Sequence, residues 1–462
     1  MSTFEPLSLD VNGFFDHMVG VRGFRREDVD ALASRITAVL KDLGLRREAG
    51  KLPFYGLPYD EAMIDTVATV ADQLRSSYST LVVLGIGGSA LGAKAAIEAV
   101  GPTDGGMRVE VLDNIDPTTI RCLLAEIDLE KTVFNVISKS GETAETMAQF
   151  LIIRDMLIQR FGQRGYRERM LATTDQHEGV LRRVADREKL RTLPVPAGVG
   201  GRFSVLSPVG LLPIAAAGLD IGRICEGARA MDVRTSLVDV WGNPAALHGT
   251  LLYLAATRRE AHVHVLMPYC DGLLRLAEWY GQLWAESLGK RHALDGSIVE
   301  VGQTPVRALG ATDQHSQVQL YVEGPHDKVV TFLRVEHHDD DLTIPHAFDE
   351  EESLAYLGGL NLGALLNMEQ RATELALAEA GRLTSVLAVS KLDEAALGQL
   401  FHLFEAQTLV AGGLFGINPL DQPGVEAGKE MTRAMAGRRG YEKLAHSVDQ
   451  RLGAKRSNLV LR

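Results

Sequence analysis

Apolar residues recur at steps of three and four along VDALASRITAVLKDL, where Val29, Leu32, Ile36, Val39 and Leu40 fall on one face of a helix. This spacing predicts a helical lead-in over residues 1–75. From Thr80 the period changes. TLVVLGIG, MRVEVLD, KTVFNVIS and RMLATT are short β-rich runs separated by helical stretches, the pattern of βαβ units around a parallel sheet. A first α/β domain is expected over 76–230. HVHVLMPYC, DKVVTFLRV and TSVLAVSKL then supply strands for a second α/β domain over 231–404, with LLRLAEWYGQLWAESLG as one of its helices. No close sequence repeat relates the two. The remainder, 405–462, reads as helix, turn, helix, broken at Asn418-Pro419 and Gln422-Pro423-Gly424.

Length and composition agree with this division. A chain of 462 residues exceeds one ordinary core, and 46% apolar with 23% charged residues suits a globular protein. The formal charge of -12 excludes a protein built around nucleic-acid phosphates, which would need a broad face of Lys and Arg. A small anionic ligand remains compatible, provided a few cations are aimed at it locally. Cys122, Cys225 and Cys270 are widely spaced and odd in number, so no disulfide framework is implied and a reducing compartment is expected. The start, MSTFEPLSLDVNGFF, lacks a basic and then apolar leader. The long uncharged run near Phe203 to Leu219 contains two prolines and is short for a membrane span. A cytoplasmic protein with no membrane partner is expected.

Two strand-to-helix junctions carry candidate chemistry. After TLVVL comes Gly85-Ile86-Gly87-Gly88-Ser89-Ala90, whose glycines let backbone N–H groups approach an anion at a helix start, with the Ser89 hydroxyl beside them. Gly88 and Ser89 are therefore candidate ligand contacts. The same spacing satisfies a loose dinucleotide fingerprint, GxGxxA, with Asp113 closing the next strand as a ribose-binding acid would. A plain tight turn is the third reading. After KTVFNVIS, the run Ser138-Lys139-Ser140-Gly141-Glu142-Thr143 gathers three hydroxyls and a lysine before a helix. A phosphomonoester needs such donors, so Ser138, Lys139, Ser140 and Thr143 are assigned to phosphate. The plain alternative is a helix cap made by Ser140 and Thr143. Both junctions lie at carboxyl ends of predicted parallel strands, where open α/β sheets bind ligands, and one ligand could bridge them.

GIGGS, SKSGET, GGRFSVLSPVGL, AESLGK, TDQHSQ and GVEAGK, in this order over residues 85–429, resemble the glucose-6-phosphate isomerase family of bacterial type. Three positions depart from the animal-type pattern: the loop SKSGET is poorer in threonine, Leu288 stands where asparagine is common, and Asp313 precedes Gln314-His315. The resemblance implies two sugar-isomerase (SIS-type) doubly wound parallel-sheet domains with helical N- and C-terminal extensions. It also implies an aldose–ketose isomerase of glycolysis and gluconeogenesis without a cofactor, and a homodimer with sites near the subunit interface.

It further implies a role for each matched residue. Glu286 matches the base that moves a proton between neighbouring sugar carbons. Gln282, four residues earlier on the same helix, shares its face and points toward the same ligand. A surface carboxylate paired with Lys290 is the plain alternative for Glu286. Arg202 matches the cation that stabilises the enediolate, and His315 the residue that assists ring opening. Glu145 matches a carboxylate that orients His315, which requires His315 and the first domain to meet, within the chain or across a subunit boundary. Lys429 matches a lysine on the substrate oxygens near the ring opening, with Gln422 bonding the ligand beside it. Proton transfer of this kind requires no metal. His262-x-His264 and the run 336–341 are read as a strand face and a solvated loop.

Overall fold

The computed structural model describes residues 4–461 apart from Pro102 and Asp340, so Asp340 of the run 336–341 lies outside the described residues. In chain order its strands are β1 (Ser8–Asp10), β2 (Thr80–Leu84), β3 (Arg108–Leu112), β4 (Thr132–Ile137), β5 (Met170–Asp175), β6 (Arg191–Val195), β7 (Val263–Pro268), β8 (Lys290–His292), β9 (Ile298–Val301), β10 (Thr304–Arg307), β11 (Lys328–Val335) and β12 (Leu383–Val389). Every run read as a strand from the sequence is one.

The first sheet has the order β3-β2-β4-β5-β6, with every pairing parallel. β2 and β4 are buried along their whole length, because helices cover both faces and continuous apolar runs are then required. Their side chains alternate between two cores. Leu81 and Val83 join the main core, whereas Val82 and Leu84 join a second one with Phe150, Ile153 and Leu157 of helix Ala144–Arg169.

The second sheet has the order β1-β12-β11-β7-β10, parallel except for β1, which pairs antiparallel with β12 along one edge. Leu266, Leu333 and Leu387 of this sheet enter the same main core as Leu81 and Val83, so one apolar interior spans both sheets. Val265, Met267 and Phe332 face a third, smaller core. A short antiparallel ribbon, β8-β9, completes the strands.

Three sequence expectations change here. The first 75 residues are not purely helical, since β1 is borrowed by the second sheet. The lead-in pattern is also not one helix. Val29 ends up in helix Arg26–Asp30, the chain turns at Ala31 and Leu32, and Ile36 and Val39 lie in helix Ala33–Glu48. The breaks drawn at 230 and 404 each fall inside a helix, Ile221–Thr235 and Glu394–Phe415. These two helices pack against each other, and Glu394–Phe415 is buried almost all round, so its sequence carries no polar stripe to mark a boundary. Arg47 fastens the lead-in by donating to both carboxylate oxygens of Asp232, at 2.7 Å each.

Candidate active site

In the first sheet the chain passes from β2 to β3 on one side and then crosses to β4 on the other. β2 and β4 therefore bracket the topological switch point, where the loops leaving their carboxyl ends diverge and open a crevice. Those two loops are GIGGS and SKSGET.

The SKSGET loop is held open by its neighbours. Ser138 is buried, and its Oγ accepts from the Gly141 N–H at 3.0 Å and lies 3.5 Å from Thr143 Oγ1. Thr174 Oγ1, at the end of β5, donates to the Ser138 carbonyl at 2.8 Å and lies 3.2 Å from that of Lys139. Gly141 has φ +69°, and a Cβ there would stand 2.2 Å from the Leu181 nitrogen, so only glycine fits. Thr143 begins helix Ala144–Arg169 but makes no side-chain cap, which leaves its hydroxyl for a ligand. Ser140 instead accepts from the Glu142 N–H at 3.2 Å, so the capping alternative describes a local turn at Ser140 and fails at Thr143. Lys139 is exposed and donates to the Val199 carbonyl at 3.2 Å, which leans it toward the GGRF segment.

GIGGS and GGRF interlock. A Cβ on Gly88 would lie 2.1 Å from the Gly201 carbonyl oxygen, so the two turns approach as closely as backbone allows. Ser204 Oγ secures them, 2.7 Å from the Gly201 carbonyl and 3.4 Å from that of Gly88. Ser89 closes the 3-10 turn Gly87–Ser89. The Gln282 amide nitrogen packs 2.8 Å from where a Cβ on Gly87 would stand, and its Oε1 is buried without a hydrogen-bond partner among the described residues.

The GGRF turn delivers Arg202, 6% exposed, to helix Leu274–Leu288. Its Nε donates to Ser287 Oγ at 3.1 Å, and its Nη2 to the carbonyls of Pro419 and Asp421 at 3.1 and 3.2 Å. Nη1 meets Glu286 Oε2 at 2.7 Å and Gln422 Oε1 at 3.0 Å. Two nitrogens thus fix the guanidinium while the third faces Glu286. Lys290 is not the partner of the Glu286 carboxylate, because its ammonium donates to the carbonyls of Glu286 and Ser287 at 2.6 and 3.0 Å.

Three candidate residues stand apart. His315 ends the 3-10 turn Thr312–His315 that follows β10 and is exposed. Its neighbours are clamped: Asp313 accepts from the Leu309 N–H at 2.7 Å and from Ser316 Oγ at 2.5 Å. Gln314 accepts from Tyr269 Oη at 2.6 Å and donates to Glu369 at 3.0 Å. Glu145 lies half-buried in the first turn of helix Ala144–Arg169, and among the described residues no hydrogen bond or ion pair joins it to His315. Lys429 is paired with Glu426 at 2.9 Å on helix Glu426–Met435. That helix and the turn after it are nevertheless tied to the SKSGET loop, with Arg433 and Arg438 at 3.7 and 3.6 Å from the two oxygens of Glu142. Thr174, Ser204, Ser287 and Glu142 were not singled out in the sequence.

The competing features resolve into structure. Asp113 forms an ion pair with Lys94 at 2.8 Å, so it is not presented as a free ribose acceptor. His264 is buried, with one ring nitrogen 2.8 Å from Thr331 Oγ1 and the other 2.8 Å from Tyr280 Oη.

The family model for phosphoglucose isomerase matches residues 68–450. The chain belongs to the phosphoglucose isomerase family. Glucose-6-phosphate isomerase of Carboxydothermus hydrogenoformans is 41% identical over 96% of this chain and 97% of its own length. The enzyme of the same name from Rubrobacter xylanophilus is 44% identical over 91% and 96%. Among solved structures, a hypothetical protein of Thermus thermophilus superposes with TM-score 0.85 at 37% identity, covering 93% of this chain and all of the other. A glucose-6-phosphate isomerase from Chlamydia trachomatis, at 24% identity and TM-score 0.74, shares the fold. Membership accounts for both sheets, and among the described residues no helix is long and apolar enough to cross a membrane.

Proposed function

We propose that this family member is a glucose-6-phosphate isomerase, interconverting D-glucose 6-phosphate and D-fructose 6-phosphate through an enediolate. The observation that supports the reading is the contact of Arg202 Nη1 with Glu286, made from a GGRF turn that interlocks with GIGGS and lies beside Lys139. The phosphoryl group takes the hydroxyls of Ser138, Ser140 and Thr143, the charge of Lys139 and the turn at Gly88 and Ser89. Phosphate held there fixes the sugar carbons against the helix carrying Gln282 and Glu286.

Glu286 removes the proton from the carbon beside the carbonyl and returns it to the neighbouring carbon. Negative charge then grows on the enediolate oxygens, and Arg202 Nη1 is already oriented toward it, so little reorganisation accompanies the reaction. Gln422, on the same nitrogen, hydrogen-bonds the ligand. Ring opening precedes this step. His315 gives the ring oxygen its proton, Glu145 orients the imidazole, and Lys429 leaves Glu426 to meet the oxygens near the opening ring.

The exposed position of His315 supports a homodimer in which it serves a second copy's crevice. Exposed Leu320, Leu362 and Met368, on the helices flanking Gln314 and Glu369, offer that copy apolar surface. A cytoplasmic enzyme of glycolysis and gluconeogenesis follows from this reading. The test is a coupled assay of the pure protein in both directions. Turnover between the two sugar phosphates is expected; binding of either without turnover overturns the enzyme in favour of a sugar-phosphate sensor.

A further inference from the structure

The loops considered so far leave the carboxyl ends of the first sheet's strands or follow β10. At the opposite end of the second sheet, where β7, β11 and β12 begin, a cleft is lined by Arg22, Arg259, His326, Lys328, Gly381 and Arg382. Such a concentration of basic groups is unusual on a chain of net charge -12.

These charges are oriented but scarcely neutralised. Arg382 is 5% exposed and donates to the carbonyls of Val322, Gly324 and Pro325. Arg259 donates to the carbonyls of Arg22, Gly23 and Arg258. Carbonyl oxygens fix a guanidinium without cancelling its charge. Among the described residues no carboxylate pairs with Arg22, Arg259 or Arg382. Asp327 pairs with Lys328 and also faces Arg382 without an ion-pair contact to it. His326 reports the resulting field, since burial and then Arg382, Arg22 and Lys328 lower its pKa. Gly381, whose φ of +69° favours glycine, borders the mouth, where a Cβ would stand 3.7 Å from Arg22 Cδ and 4.0 Å from His326 Cε1.

We propose that this cleft binds a phosphate oxyanion, free or carried by a small metabolite, at a site separate from the catalytic crevice. A tetrahedral dianion seated at the mouth of this narrow cleft accepts from the N–H groups of exposed Arg22 and from the His326 ring, beside the fixed charges of Arg259 and Arg382. Bound there, it removes the repulsion among the arginines and favours protonated His326.

The test uses the full chain with 13C-labelled histidine, the His326 resonance being assigned through H326Q. Inorganic phosphate is titrated at constant ionic strength set with chloride, and glycerol phosphate is titrated in a second arm. The expected result is a saturable shift at His326 and a rise in its pKa of about one unit. In R22A the dissociation constant weakens at least about five-fold, while isomerase kcat/KM is unchanged. The arm that saturates at lower concentration identifies free phosphate or a phosphomonoester as the source. Because the readout is His326 itself, phosphate entering the catalytic crevice does not mimic it. A response that never saturates, or one identical in R22A, means an adventitious ion only and overturns the proposal.

Discussion

Arg202 Nη1 lies 2.7 Å from Glu286 Oε2, and this contact joins residues 84 positions apart in the chain. The other two guanidinium nitrogens are committed to Ser287, Pro419 and Asp421, so the arginine is both a structural tie and the cation facing the candidate base. The two duties are separable by substitution. R202K keeps a charge but cannot reproduce the five hydrogen bonds, and should lower kcat/KM by about 100-fold or more. R202A also leaves carbonyls and Glu286 unpartnered, which should cost about 2–4 kcal/mol of stability. Steady-state kinetics with chemical denaturation checks both values.

The contact between GIGGS and GGRF makes Gly88 far less tolerant than its neighbours. G88A puts a methyl group 2.1 Å from the Gly201 oxygen, so one turn must move and carry Arg202 with it. Activity should collapse, with a stability loss of about 2 kcal/mol or more. Gly200 is an internal control: a Cβ there meets nothing within 4 Å, and its φ of -82° suits any residue. Thermal melts check both variants, and G200A should unfold close to wild type.

Glu142 links the SKSGET loop to the segment that carries Lys429, through Arg433 and Arg438. Arg433 follows Lys429 by one helical turn and so shares its face. Such partly exposed pairs contribute little stability, and E142Q should leave the melting temperature within a degree or two. Its effect should appear as a rise of about three-fold or more in KM, larger at low salt than at high salt. An unchanged KM at low salt would detach this clasp from substrate binding.

Glu405 is fully buried in helix Glu394–Phe415, and burial raises its pKa well above the ordinary carboxylate value. Its Oε1 has no hydrogen-bond partner among the described residues. The folded protein therefore holds a proton that the unfolded chain releases near the usual glutamate pKa of about 4.3. The stabilisation is complete below that value and is lost as pH rises toward the folded pKa. Buried His248 and His264, whose pKa values are lowered, act in the opposite sense in both proteins, so the Glu405 contribution is read as the difference: relative to E405Q, wild type should lose stability from pH 5 to pH 8. Denaturant midpoints across this range give the comparison.

Most strands were legible because β2, β4, β7, β11 and β12 are apolar runs bounded by turns. β6 was not, because RTLPV contains Pro194 and is exposed at two of its five positions, as an edge strand can be. β1 spans three residues and takes its identity from β12, far away in sequence. The site divides in the same way. Gly88, Ser138 and Thr143 stand in turn motifs whose residue types suggest an anion site, whereas Arg202 and Glu286 are marked only by the family resemblance of their motifs. Ser287, Thr174 and Ser204 carry neither mark, because each matters only through a partner brought to it by the fold. His315, Glu145 and Lys429 are marked by the same resemblance, yet among the described residues no hydrogen bond unites them.

Glu286 is proposed to carry a proton between two sugar carbons. The direct measurement is proton NMR of fructose 6-phosphate incubated with enzyme in D2O until isomerisation equilibrates. Solvent deuterium should accumulate at the carbons that exchange the proton, and E286Q should slow both isomerisation and deuterium entry by about 1,000-fold or more. Full isomerisation with no deuterium incorporated, or E286Q turning over like wild type, would contradict the account.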